Sequence, residues 1–306
     1  MKTLVSVITL TYKRFDLIYK AIDSVFLQDF SNIEYIISDD GSPNFDVYSD
    51  EISRYIETHK GDNITSVNVI HHENNIGTVQ NINHAIKEAK GDIIMFVSAD
   101  DSLFANDVIT RIVNEYDKRK CDALVVGRAL YDENGKFIRT IPSAKEKKVL
   151  DNLKSGRQQY SRLVTGRFFE AFSGCVLSYK KSFIENFGYY DERYRLLEDM
   201  PFFARYFLEN HMECAFDIIA LRYNVGGVST GLTKHPQLLK DDELFRTTDV
   251  IDHINELSFI DKEIVRYENT RRKDININAN RKAFFAHPIG FFAIKLYRFG
   301  LRLKRD

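Results

Sequence analysis

The chain predicts an α/β protein built on a doubly wound, mostly parallel sheet, followed by a helical C-terminal extension. Three observations carry this. Apolar runs of strand length alternate with amphipathic helical patterns through residue 130. The run from Asp92 to Asp101 is apolar on both faces, as a buried parallel strand is, and it ends in two adjacent acids. Turn-forming and acidic residues gather where successive strands would end, the place where open α/β sheets put their chemistry.

The elements follow in order. Residues 4–10 form a strand. Residues 16–27 form a helix with Leu17, Ile18, Ala21, Ile22 and Val25 on one face. A strand at 33–38 closes on Asp39-Asp40-Gly41-Ser42. A helix over 47–59 and a strand over 66–71 come next, then a helix over 79–89 ended by Lys90-Gly91. The fourth strand is 93–98, before a helix at 107–118 and a strand at 123–126. Right-handed crossovers would place these helices on both sheet faces. Residues 140–165 are polar and Lys-rich and read as a loop with a short helix. Apolar pattern returns over 168–179, and helices are expected at 181–187 and 198–210. Residues 224–236 carry Gly226, Gly227 and Gly231 and read as a mobile loop. From Asp241 onward the pattern is helical. The expected division is 1–235, with halves 1–102 and 103–235, and then 236–306.

At 306 residues, one large domain or two modest ones are expected. A hydrophobic share of 44% with 28% charged residues is ordinary for a globular protein. The formal net charge of −1 gives no case for nucleic acid as partner. Cys121, Cys175 and Cys214 are odd in number and contain no Cys-x-x-Cys pair, which fits a reduced cytoplasmic protein and argues against a disulfide framework or zinc site. The N-terminus lacks the long apolar core of a signal peptide. No stretch reaches the about 18 apolar residues that span a bilayer.

Asp100 and Asp101 would sit side by side at a cleft mouth. Oxygen-rich pairs suit Mg²⁺ or Mn²⁺, and such an ion commonly holds a diphosphate. The same pair also reads as a cap for a helix starting near Phe104, and the motif alone leaves both readings open. Three further signals lie at strand ends: Thr11-Tyr12-Lys13-Arg14, Ser38-Asp39-Asp40-Gly41-Ser42, and Asn74-Asn75-Ile76-Gly77. Each alone is also an ordinary turn or cap. Their order and spacing together point to one crevice.

In these motifs the chain resembles the family 2 glycosyltransferases, over roughly residues 3–230. The resemblance implies the glycosyltransferase A-type fold, with 1–102 as nucleotide-binding half, 103–235 as acceptor half, and a sugar-nucleotide donor. It implies that Thr11, Tyr12, Arg14, Asp39, Asn75, Gly77 and Asp100 bind the nucleotide, and that Asp101, with Asp100, binds Mn²⁺ or Mg²⁺. Many relatives carry an acid where this chain has Ser98, and Arg where it has Asn224, so fewer protein ligands and no cationic diphosphate contact at 224 are expected.

Leu197-Glu198-Asp199-Met200-Pro201 is similar to the family's Glu-Asp element. Transfer with inversion needs a carboxylate opposite the leaving diphosphate to take the acceptor's proton. Asp199 is the candidate base and Glu198 a positioning group; Asp199 is also a plausible helix cap. Gly174 and Cys175 are expected on the acceptor side, Gly174 either for close backbone approach or as a bulge. The loop over 224–236 is expected to close over the donor. His71 and His72 would point to opposite faces of a strand rather than share a metal.

Residues 281–306 hold seven Lys/Arg against one acid, Asp306, interleaved with Phe, Leu and Ile. This reads either as an interfacial membrane contact or as a helix packed on the body. The C-terminal helices could also pair subunits in a homodimer. The expected activity is an inverting, metal-dependent hexosyl transfer from a UDP-sugar to a saccharide or lipid-linked saccharide. The resemblance implies bacterial surface polysaccharide synthesis (capsule, exopolysaccharide or lipopolysaccharide), in the cytoplasm or at the inner membrane face. A processive synthase is not expected, because there is no Trp for its Gln-x-x-Arg-Trp element. A nucleotidyltransferase would want a Gly-rich loop after the first strand, and a dehydrogenase a Gly-x-Gly-x-x-Gly there. The remaining alternative is a catalytically inactive nucleotide-sugar-binding subunit.

Overall fold

The computed structural model describes residues 2–43, 45–226, 235–272 and 278–302. The described strands are β1 (Val5–Thr11), β2 (Ile33–Asp39), β3 (Ile64–His71), β4 (Ile93–Phe96), β5 (Ser102–Leu103), β6 (Ala123–Tyr131), β7 (Phe137–Ile141), β8 (Leu177–Lys180) and β9 (Glu213–Asn224). The helices before β9 are α1 (Ile18–Phe26), α2 (Phe45–His59), α3 (Thr78–Glu88), α4 (Val108–Arg119), α5 (Ala144–Leu150), α6 (Gly156–Val164), α7 (Lys181–Phe187) and α8 (Asp199–Glu209). After β9 come α9 (Pro236–Thr247), α10 (Asp249–Asp252), α11 (Phe259–Arg272), α12 (Asn278–Ala286) and α13 (Pro288–Arg302).

The strands form one sheet in the order β3-β2-β1-β4-β8-β6-β9-β5, with β7 on β6. β3, β2, β1 and β4 are parallel, as is the long β6–β9 pair, while β8, β7 and β5 join antiparallel. Every residue of β2 and nearly every residue of β1 is buried, the signature of strands covered on both faces. β3 lies at the edge and exposes polar Thr65 and Ser66, which blunts an open edge.

Lys90-Gly91 does not end α3 with a left-handed cap. The cap residue is Ala89 in extended conformation. Gly91 instead lets the chain pass β1, since a Cβ there would lie 2.4 Å from the Ser6 backbone nitrogen.

Residues 213–224, to which the pattern assigns no element, form the long strand β9. Its register against β6 shifts around Gly127, where Val126 faces Ala215 but Gly127 faces Ile219. A bulge of that kind breaks the alternation by which a strand is read.

Chain contacts divide the molecule into two compact units. The first comprises 1–152, 169–202 and 212–241, and the second 153–168, 203–211 and 242–306. The second unit thus draws on two earlier segments as well as the C-terminal helices. Ile264, Tyr267, Ala283 and Ile294 are buried together in it, with Phe291 and Tyr297 packed against them. Arg167 pairs with Asp261 in the same unit, both largely buried.

Candidate active site

The candidate residues all fall in the first unit. β2 and β3 lie on one side of β1 and β4 on the other, so strand order reverses at β1. In open α/β sheets, ligands bind outside the carboxyl ends of the strands at such a reversal.

Thr11 ends β1 and stands in register with Asp39 at the end of β2. It is buried, and its Oγ1 has no hydrogen-bond partner within the protein. Asp39 is fully buried. Its Oδ1 accepts the Ser42 hydroxyl at 2.5 Å and its Oδ2 the Ser42 N–H at 2.8 Å, with His71 Nδ1 2.8 Å away. His71 stacks on Phe45 at 4.0 Å between centroids. His72 faces His84 instead, as strand alternation requires. Tyr12 is half exposed with the Lys13 ammonium 4.8 Å from its ring centre, and Arg14 lies 3.6 Å from Asp16 at the surface.

Asp40 is the latch between the second and third motifs. It accepts the N–H of Ile76 at 2.7 Å and of Gly77 at 3.1 Å, and the Asn75 amide at 2.9 Å. Burial still holds its carboxyl above the ordinary value, against those bonds. Gly41 has φ +72°, and a Cβ there would collide with Asn74 at 2.3 Å. Asn75 also accepts Arg195 Nη2 through its carbonyl and side-chain oxygens, both at 2.7 Å. Arg195, Leu196 and Leu197 all donate backbone N–H groups to one oxygen of buried Asp241. Asp241 therefore shapes the turn into the Glu-Asp element, a role that local pattern does not reveal because it lies more than forty residues further along the chain.

No helix begins at Phe104. β5 follows Asp101 and α4 starts at Val108, which removes the capping reading. Asp101 is 2% exposed and instead accepts the Asn224 N–H on Oδ1 at 2.9 Å. The Asn224 side chain donates to the Asp100 carbonyl. Asp101 Oδ2 is buried without a partner, and burial, with the neighbouring Asp100 charge, pushes its carboxyl up to about 8. An orphaned, desolvated carboxylate oxygen beside a second carboxylate fits a hard divalent cation. Among the described residues no three His, Cys, Asp or Glu side chains converge as a metal cage. The protein would thus give a partial shell, as Mg²⁺ sites that keep water and phosphate oxygens do. His235 Nδ1 accepts the Gln237 N–H at 3.2 Å.

Asp199 opens α8. Its Oδ2 accepts the Gly174 N–H at 3.3 Å and its Oδ1 the Met200 N–H at 2.7 Å. Burial raises the Asp199 carboxyl, and burial with the Asp199 charge pushes Glu198 up to about 8, so the pair favours holding a proton. A Cβ on Gly174 would lie 2.8 Å from Glu198 Oε1, so the turn passes close beside the movable end of that side chain. Cys175 follows in a short 3-10 turn, half-buried, its thiol pushed up to about 11 by burial.

Arg128, on β6, is the residue that motif reading misses. It is 7% exposed, its Nε and Nη1 have no partner, and its guanidinium lies 5.2 Å from the Tyr223 ring centre. Its charge acts on Asp101, Cys175 and Asp199. Of the loop over 224–236 expected to close over the donor, residues 227–234 lie outside the described residues.

Element and strand order define a glycosyltransferase A-type fold. Residues 6–187 match the model of glycosyl transferase family 2, more than half of the chain, and the protein belongs to that family. It is 27% identical over 189 residues to GalNAc(5)-diNAcBac-PP-undecaprenol beta-1,3-glucosyltransferase of Campylobacter jejuni, covering 62% of this chain and 55% of the relative. It is 31% identical over 134 residues to glycosyltransferase GlyG of Streptococcus pneumoniae, covering 44% of this chain and 42% of that one. The chain thus spans about half the length of these relatives. The structure of S. aureus TarS 1-349 in complex with UDP-GlcNAc aligns with a TM-score of 0.61 at 18% identity, over 92% of this chain and 79% of that one, and shares the fold.

Proposed function

We propose that the protein is an inverting glycosyltransferase that moves a sugar from a UDP-sugar to a saccharide or lipid-linked saccharide acceptor in bacterial surface polysaccharide synthesis. The observation that carries this reading is the presence, in one unit, of the orphaned Asp101 oxygen and the raised Glu198–Asp199 pair. Family membership supports sugar transfer. The name of the Campylobacter relative supports a lipid-linked acceptor, and UDP-GlcNAc in the TarS complex supports the carrier.

In this reading Thr11, Tyr12, Arg14, Asp39, Asn75 and Gly77 form the nucleotide site, with Asp40 latching the Asn75–Gly77 segment. Gly174 and Cys175 line the acceptor side. Asp199 takes the acceptor proton as the new glycosidic bond forms and the bond to the diphosphate breaks, on opposite faces of the anomeric carbon. Glu198 keeps the acceptor hydroxyl oriented. Asp100 and Asp101 would hold Mn²⁺ or Mg²⁺, which when bound supplies positive charge to the departing diphosphate. Arg128 adds fixed positive charge in a desolvated setting.

Thermal stability with UDP, GDP, TDP and CMP, each with and without Mn²⁺, tests the donor side. Ligand at 100 times its dissociation constant adds about 2.7 kcal/mol. A shift with UDP that requires Mn²⁺ is expected; no shift with any nucleotide overturns the reading.

A further inference from the structure

α13 carries two apolar faces. The inner one, Ile294 with Phe291 and Tyr297, packs on Ile264, Tyr267 and Ala283. Gly290 permits this packing, since a Cβ there would lie 2.1 Å from the Glu263 carbonyl oxygen of α11. The outer face is bare. Ile289, Phe292, Leu296 and Phe299 recur three and four residues apart and are 45%, 56%, 70% and 59% exposed. Phe285 of α12 is 73% exposed. Single exposed apolar residues are common, but a row along one helix face marks a surface that something covers.

Charge selects what covers it. Residues 281–305 contain seven Lys/Arg and no acid. Arg298 is held by Glu268 at 3.3 Å, whereas Arg281, Lys282 and Lys295 are exposed. Two copies meeting through this face would set cations against cations. An uncharged apolar partner would leave them unmatched. A lipid surface with anionic head groups satisfies the apolar row and the cations together. No helix among the described residues is long and apolar enough to cross a membrane, so the contact is interfacial.

We propose that the α12–α13 face of the second unit docks on an anionic lipid surface. The apolar row enters the acyl boundary, and Arg281, Lys282 and Lys295 meet the head groups. The two sequence readings of this tail are then both met, one by each face. This inference does not depend on the glycosyl-transfer reading.

The test is co-sedimentation of the full chain with vesicles of phosphatidylglycerol and phosphatidylcholine, or of phosphatidylcholine alone. Pelleting is expected with the anionic vesicles and should weaken as salt is raised. The Phe292→Gln/Leu296→Gln double variant should partition about tenfold less or weaker still, and Lys282→Glu/Lys295→Glu should weaken binding to anionic vesicles selectively. Thermal melts establish that these surface variants stay folded. Three results overturn the proposal. They are equal pelleting of the double variant and parent, no preference for anionic vesicles, and a dimer in sedimentation velocity that the double variant abolishes while vesicle binding is absent.

Discussion

Gly174 donates its backbone N–H to Asp199 Oδ2 at 3.3 Å, and a Cβ on it would lie 2.8 Å from Glu198 Oε1. The two carboxyls of the Glu-Asp element are thus held against the 3-10 turn at Gly174–Val176, with burial raising both. An oriented carboxylate of raised basicity suits removal of a proton from an acceptor hydroxyl.

Asp199→Asn keeps the shape and one acceptor oxygen but cannot take a proton. Turnover should fall about a thousandfold, within the range for loss of a general base. Calorimetric titration should show nucleotide affinity retained. Undiminished turnover removes Asp199 as the base.

The Glu198–Asp199 pair also sets a pH dependence. A carboxyl raised on folding keeps a proton that the unfolded chain has already lost. Its contribution to stability is full below the unfolded value near 4.5 and is lost as pH rises through about 8. Glu198→Gln abolishes that loss. The melting temperature of the variant minus that of the parent should therefore increase from pH 5 to pH 8 in differential scanning calorimetry. A constant difference contradicts the raised value.

Asp101→Asn removes an acid whose ionisation the buried site resists. Near pH 8 the ligand-free variant should be more stable than the parent. The Mn²⁺-dependent part of the UDP thermal shift should vanish with it. A metal-dependent shift that survives assigns the ion elsewhere.

Arg128→Met replaces a buried guanidinium, two of whose nitrogens lack partners, with a chain of similar length. Melting temperature should hold or rise, because burying such a cation costs free energy. Turnover should fall about tenfold or more as a fixed positive charge leaves the site. Unchanged kcat/KM confines Arg128 to a structural role.

Gly77→Ala tests the latch under Asp40. Gly77 has φ +95°, and an added Cβ would lie 2.8 Å from the Arg195 carbonyl oxygen. Destabilisation of about 2 kcal/mol is expected in urea unfolding. Weaker UDP binding should accompany it, because the Asn75–Gly77 segment moves.

Much of the first unit is legible in sequence. β1, β2, β4 and α7 fall within one or two residues of their patterned ranges, because a buried parallel strand is a short unbroken apolar run and a short helix has one apolar stripe. β9 escaped because its bulge opposite Gly127 interrupts the alternation, and β5 because two residues carry no period. The motif residues Thr11, Asp39 and Asp101 stand out because strand ends in this fold are where turns and acids collect. Arg128 and Asp241 stand in a strand and a helix with no motif around them. Their importance comes from neighbours distant in sequence.

By itself, then, the sequence determined the order of strands and helices through β4 and which acids close those strands, since those follow from local periodicity and turn chemistry. Tertiary structure alone decided what the acids meet. Asp39 is held by Ser42 and His71, Asp40 grips the Ile76–Gly77 backbone, and Asp101 is bonded by Asn224 on one oxygen and left bare on the other. Desolvation and hydrogen bonding arise from segments brought together across the sheet, and they, rather than residue type, set which carboxylates are gripped and which keep a bare oxygen.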